Sequence, residues 1–267
     1  MVASLTLDTY LLGSPKNPTE ALRMKTILIT GCSSGFGLDA ARYFLDKGWK
    51  VIATMRHPRE DILPPDDNLR VLALDVTDPE SIRKAIDAAG PIDVLVNNAG
   101  IGALGALEGI SIQTVRDLFE TNTFGTIAMT QAVLPQFRAR KEGVVINVTS
   151  SVTMKSLPLL AVYTGSKAAV NAFTESLALE LAPFNVRVRI VLPGRAPSTS
   201  FGANAQSRMQ GSIPPAYAEL AQEVFAGWQT NTLVTEPNDV SEAIWRAATD
   251  TSAPMRIPAG KDAEALA

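Results

Sequence analysis

The chain has one cysteine, Cys32, and one histidine, His57, among 267 residues. A single cysteine excludes an internal disulfide framework and a cysteine-rich zinc site. A single histidine leaves no basis for a His-built metal centre or a Ser-His-Asp triad. No metal is therefore expected, and acid–base chemistry must use Tyr, Lys, Asp or Glu. A basic excess is also missing: 24 Lys and Arg stand against 27 Asp and Glu, a net charge of −3. That balance gives no support to a nucleic-acid partner. No apolar run approaches the roughly eighteen residues of a membrane span, and the N-terminus lacks the basic start of a signal peptide. A cytoplasmic protein with no membrane partner is the expectation.

What is present is a globular composition, 46% apolar and 19% charged, with enough apolar side chains for a sizeable core. Residues 1–24 hold Gly13, Pro15 and Pro18 with little periodicity. They read as an N-terminal extension, or as the product of a misplaced start with Met24 the alternative. Residues 25–267 carry no linker or repeat and read as one domain. Short β-branched runs at 26–30, 50–54, 70–75, 93–96, 144–149 and 186–192 read as strands buried on both faces. Helical patterns lie between them at 36–47, 79–88, 111–140 and 161–182, with Asp78 and Pro79 as a start signal. This alternation implies an α/β fold, a Rossmann-like doubly wound parallel sheet with helices on both faces. Residues 195–235 are irregular and read as a lid over substrate.

The first strand runs into Thr30-Gly31-Cys32-Ser33-Ser34-Gly35-Phe36-Gly37. Gly31 suits a sharp turn, Gly35 leaves room for a pyrophosphate, and Gly37 lets helix and strand pack closely. The helix start offers N–H groups and positive partial charge to phosphate. Three such glycines alone also describe a tight structural turn. The second strand ends in Thr54-Met55-Arg56-His57, with no carboxylate to hold a ribose 2′-hydroxyl. Arg56 suits a 2′-phosphate instead, with Ser33 able to add a hydroxyl. Tyr163 and Lys167 sit four residues apart near the start of a helix, on one face. A neighbouring ammonium lowers a tyrosine pKa toward the range useful for proton transfer. Ser150 follows the fifth strand, at the end that faces the ligand crevice of such a sheet.

In this order, with Asn97-Asn98-Ala99-Gly100, Asn122 and Pro193-Gly194, the set resembles the short, single-domain branch of the short-chain dehydrogenase/reductase family. The segments TGCSSGFG and VIATMR look nearest to NADP-dependent hydroxysteroid and retinol dehydrogenase-like members. The resemblance implies the roles that follow. Tyr163 is the general acid/base, Lys167 tunes it and binds the nicotinamide ribose, Ser150 orients the substrate carbonyl, and Asn122 holds a water behind Lys167. Gly31, Ser33, Ser34, Gly35, Phe36, Gly37, Arg56, Asp75, Val76, Asn98, Ala99, Gly100, Pro193, Gly194 and Ser198 line the cofactor together with Tyr163 and Lys167. The nicotinamide amide contact is left between Ser198 and Thr199. NADP(H) is then the cofactor, and a hydrophobic ketone or aldehyde the substrate. Candidate substrate-lining residues are Met154, Leu157, Leu159, Phe201, Met209, Ile213, Tyr217, Phe225 and Trp228. A homodimer or homotetramer is expected through the long helices. The rival readings are an NAD-dependent alcohol dehydrogenase and a non-catalytic NADP-sensing regulator.

Overall fold

The computed structural model describes residues 23–206, 208–209 and 211–267. Most of the 1–24 extension therefore lies outside the described residues. Seven strands form one parallel sheet: β1 Thr26–Ile29, β2 Lys50–Met55, β3 Leu69–Ala73, β4 Val94–Asn97, β5 Gly143–Val148, β6 Val186–Pro193 and β7 Arg256–Ala259, in spatial order β3-β2-β1-β4-β5-β6-β7. The order reverses beside β1, which pairs with both β2 and β4. In open α/β sheets that reversal opens the ligand crevice beyond the carboxyl ends of the strands.

Strand side chains alternate between two cores, because successive residues point to opposite faces. Ile27, Ile29, Val51, Ala53, Val94 and Val96 pack one way, against α1 Gly35–Asp46 and α8 Pro237–Thr249. Leu28, Ile52, Leu95 and Val145 pack the other way, against α2 Pro79–Ala89, α4 Gly125–Arg140 and α5 Ala161–Leu181. The doubly wound sheet expected from the sequence is the fold observed.

A polar ladder crosses the second face. Asn97 and Asn147 lie in register on β4 and β5, and Asn97 Nδ2 donates to Asn147 Oδ1 at 2.8 Å. Asn97 also reaches Thr130 on α4 at 3.1 Å, and Asn147 reaches Thr174 on α5 at 2.8 Å. These bonds tie β4 and β5 to α4 and α5, so the ladder fixes where the two helices sit along the strands.

Two expectations are corrected, and one region left unread in the sequence takes on structure. The helix read over 111–140 is two helices, α3 Ile112–Phe119 and α4, joined by one wide π turn at Glu120–Phe124. The stretch 195–235 holds two helices, α6 Phe201–Gln206 and α7 Ala218–Thr230. The C-terminal segment, without a pattern in the sequence, supplies β7 and the short α9 Lys261–Glu264.

Candidate active site

The glycine turn after β1 is shaped by its neighbours. Gly31 has φ +74°, and a Cβ there would lie 2.8 Å from Ala99 Cα. A Cβ on Gly37 would overlap the Gly31 carbonyl and lie 2.5 Å from Asn98 Nδ2. Thr30 ties this turn to the one after β4: its hydroxyl accepts from Asn98 N–H at 3.0 Å and from Ala99 N–H at 2.9 Å. Asn98 returns the bond, donating through Nδ2 to the Thr30 carbonyl at 2.9 Å. Asn98 and Ala99 thus hold the turn in shape through backbone and amide contacts.

The start of α1 fits a phosphate. Ser34 is extended at φ −169° and makes no side-chain cap, and the first turn holds no acidic residue. The first N–H groups of a helix need outside acceptors, and they carry its positive pole. Ser33 is exposed, Ser34 half-buried, and the Phe36 side chain packs into the core beneath.

Arg56 is exposed just past β2. Its charge acts on Asp75, beyond β3. Burial raises the Asp75 pKa, but the Thr77 N–H and hydroxyl bonds and the Arg56 charge outweigh it and hold the carboxyl below its ordinary range. Thr77 occupies Asp75 Oδ1 at 2.9 Å and 2.7 Å. Val76 is buried under α4, where a Cβ on Gly125 would come within 2.8 Å of it. Asp78 caps α2 through Glu80 N–H at 2.9 Å, as its position before Pro79 suggests.

Ser150, Tyr163, Lys167 and Asn122 come together beyond the ends of β4 and β5, all buried. Ser150 is extended and turns its hydroxyl to the Val152 N–H at 3.3 Å. Asn122 lies in the π turn; its Oδ1 accepts from Ile101 N–H at 2.8 Å, and its Nδ2 donates to the Ile101 carbonyl at 2.9 Å and to Ser166 Oγ at 3.0 Å. A π turn inside a helix often marks a functional position. Gly100 separates Asn122 from Lys167: a Cβ there would stand 3.2 Å from both Asn122 Oδ1 and Lys167 Nζ.

The proton affinities differ from the sequence expectation. Burial pushes the Tyr163 phenol up to about 12, while hydrogen bonding with Ser150 acts to lower it. Burial brings Lys167 down to about 8, and its amine donates to the Val148 carbonyl at 3.0 Å. Desolvation disfavours the charged form of each group, and at the phenol it outweighs the hydrogen bond with Ser150.

The 195–235 segment covers this cluster. Phe201 lies with its ring 5.7 Å from that of Tyr163, and a Cβ on Gly102 would meet the Phe201 ring at 2.8 Å. Met209, Ile213, Tyr217, Phe225 and Trp228 pack with Leu104 and Leu159, whereas Met154 and Leu157 lie half-buried beside them in sequence. Ser198 is exposed and turned toward Glu236 at 3.3 Å. Thr199 instead stands over Gly35, 3.5 Å from where a Cβ would be. Pro193 is buried and Gly194 half-buried at the end of β6.

Sequence reasoning missed Gly102, Thr153, Asn171, Thr235 and Asp262. Asn171 Nδ2 donates to Thr153 Oγ1 at 2.9 Å, and Thr153 Oγ1 donates to the Ser150 carbonyl at 2.8 Å. Asn171 was legible only as the position one turn beyond Lys167. Thr235 and Asp262 lie far from every quoted motif.

A family model described as short chain dehydrogenase matches residues 25–210. An uncharacterized oxidoreductase, YusZ, of Bacillus subtilis is 36% identical, covering 90% of this chain and 90% of its own length. Human retinol dehydrogenase 8 is 32% identical over 87% of this chain and 80% of its own. A solved structure, the closed form of serine dehydrogenase complexed with NADP+, aligns with a TM-score of 0.74 at 29% identity, covering 89% of this chain and 95% of that one. No helix among the described residues is long and apolar enough to cross a membrane.

Proposed function

The chain belongs to the short-chain dehydrogenase family, and on that footing we propose that it is an NADP(H)-dependent oxidoreductase that reduces a hydrophobic ketone or aldehyde. The observation that carries this reading is the convergence of Ser150, Tyr163 and Lys167, all buried, beyond the end of β5. A nucleotide-sensing regulator has no use for that trio.

The uncapped start of α1 and the glycines around it would hold the pyrophosphate, and Arg56 the 2′-phosphate. An NADP+ complex among the solved relatives is consistent with that choice. When bound, the nucleotide supplies the hydride that adds to the carbonyl carbon. Tyr163 gives the proton to the carbonyl oxygen, and Ser150 orients that oxygen by a hydrogen bond. Lys167 carries positive charge at neutral pH, since its pKa is about 8. That charge favours the phenolate left behind on Tyr163. Asn122, fixed at both ends by Ile101, stands across Gly100 from the amine and would hold the route by which a proton returns, through Lys167, to the Tyr163 phenolate.

The apolar substrate class is supported by the lid residues Met209, Ile213, Tyr217, Phe225 and Trp228. It is also consistent with the kinship to retinol dehydrogenase 8. A second copy of the chain would pack on α4 and α5, next to which Phe124 is 54% exposed and Leu179 80% exposed.

The test is a titration of the purified protein with NADPH and with NADH, followed by nicotinamide fluorescence. Markedly tighter NADPH binding is expected. Tighter NADH binding overturns the role of Arg56 and points to alcohol oxidation. Binding of neither overturns the functional reading.

A further inference from the structure

The 195–235 lid leaves the sheet and returns to it at one point. Gly194 N–H donates to Thr235 Oγ1 at 2.8 Å, and Thr235 N–H donates to the Arg195 carbonyl at 2.8 Å. Residues 41 positions apart are thereby joined at both backbone and side chain. Asp262, from the C-terminal α9, closes the knot: Oδ2 accepts from Arg195 N–H at 2.6 Å, and Oδ1 lies 2.7 Å from Thr235 Oγ1.

The fit leaves no slack. Thr235 is fully buried, with its hydroxyl also 2.9 Å from the Ala259 carbonyl. A hydroxyl has one proton to give and two lone pairs to accept with. Accepting from Gly194 and donating to Asp262 or Ala259 uses its proton and one lone pair. A Cβ on Gly194 would overlap the Asp262 carboxylate. Gly260 has φ +94°, and a Cβ there would overlap the Thr235 hydroxyl. Thr235, Gly260 and Asp262, from two separate parts of the chain, are thus fitted around one short stretch of backbone, Gly194–Arg195.

We infer that Thr235 and Asp262 are positioning residues for the cofactor: they fix the Gly194–Arg195 backbone against which the nicotinamide end rests. This rests on the proposed function, which puts Pro193 and Gly194 beside the nicotinamide. A C-terminal element that forms after every recognised motif thereby becomes part of the binding site. Charge-assisted bonds to backbone N–H groups are stronger than neutral ones, and they hold the peptide planes in one orientation before any ligand arrives.

The experiment compares wild type with Thr235→Val, Thr235→Ser and Asp262→Asn. Thr235→Val keeps the shape and removes the hydroxyl; Thr235→Ser keeps the hydroxyl. Two readouts are taken below the melting transition of each protein: NADPH affinity by nicotinamide fluorescence, and trypsin cleavage after Arg208, the only Lys or Arg between positions 196 and 234. Thr235→Val and Asp262→Asn are expected to weaken NADPH roughly tenfold, as loss of a bond worth about 1.4 kcal/mol does, and to lose NADPH protection of Arg208. Thr235→Ser is expected to bind and protect as wild type does. Wild-type binding with unchanged affinity and protection in Thr235→Val overturns this inference alone, even where the variant melts earlier. Wild type that binds no nicotinamide nucleotide overturns the functional reading and this inference together.

Discussion

Asn122 and Ile101 exchange two hydrogen bonds, side chain to backbone, at 2.8 Å and 2.9 Å. An amide has the donor and acceptor spacing to read one residue's N–H and C=O at once. The π turn at Glu120–Phe124 brings the amide into register with that backbone. Asn122→Ala orphans a buried N–H and a C=O, which costs about 1–3 kcal/mol for each unsatisfied group. A clear drop in urea stability is expected, and with it a loss of turnover of at least tenfold. Wild-type stability and activity in this variant would sink the assignment.

Tyr163→Phe removes only the phenolic oxygen. Turnover is expected to fall at least 10³-fold, within the range that a positioned acid–base group supplies. NADPH affinity is expected to stay within about twofold of wild type, since a bond to the ribose is a small part of the contact surface. A Phe variant that still reduces carbonyl compounds at the wild-type rate contradicts the role.

Lys167 imposes a pH dependence on stability. Burial lowers it to about 8, against about 10.4 for an exposed lysine. Between those values the unfolded chain binds a proton that the folded chain does not. Stability of the wild type therefore rises with pH across this window. Below pH 8 both states carry the proton and the desolvation cost is fully present. Lys167→Met has no such group. Its stability relative to wild type should decline between pH 7 and pH 10, by on the order of 2 kcal/mol. Urea melts at the two pH values measure this, and a margin independent of pH refutes it.

The same value bears on the reaction. Reduction needs the Tyr163 proton and the Lys167 charge together. Since Tyr163 titrates near 12 and Lys167 near 8, the lysine sets the basic limb. Carbonyl reduction should fall as pH climbs through about 8. A rate unchanged up to pH 10 rules out Lys167 as the limiting group.

Arg56→Ala removes the cation proposed to hold a 2′-phosphate, just past β2. A hydrogen bond to a charged group contributes about 1.5–3 kcal/mol, so NADPH should weaken roughly ten- to a hundredfold while NADH changes little. Isothermal titration with both nucleotides checks this. Equal weakening of the two shows a general loss of shape in the loop.

The parts of the molecule that were legible share a local cause. The glycine turn, the strands and Tyr163-x-x-x-Lys167 are written within a few residues each, so sequence spacing conveys them. Tertiary causes were hidden. The π turn keeps the apolar spacing of a helix, and its wider backbone winding shows only in the folded chain. β7 is four residues long and contains Pro258, a weak strand signal. The Lys167 ammonium was expected to govern the Tyr163 pKa, yet burial governs it, and burial belongs to the folded chain. The contact of Asp262 with Arg195 spans 67 positions, beyond the reach of any local pattern.

The meeting of Gly194 and Arg195 with Thr235 has an evolutionary consequence. A segment whose ends already touch can be lengthened, shortened or replaced while the sheet around it keeps its geometry. Doubling such a loop adds only about 0.6 kcal/mol of closure entropy. Where Phe201, Phe225 and Trp228 line the substrate as proposed, substrate preference can diverge without disturbing the sheet. The first turn, locked by Thr30, Asn98 and its own glycines, has no comparable freedom.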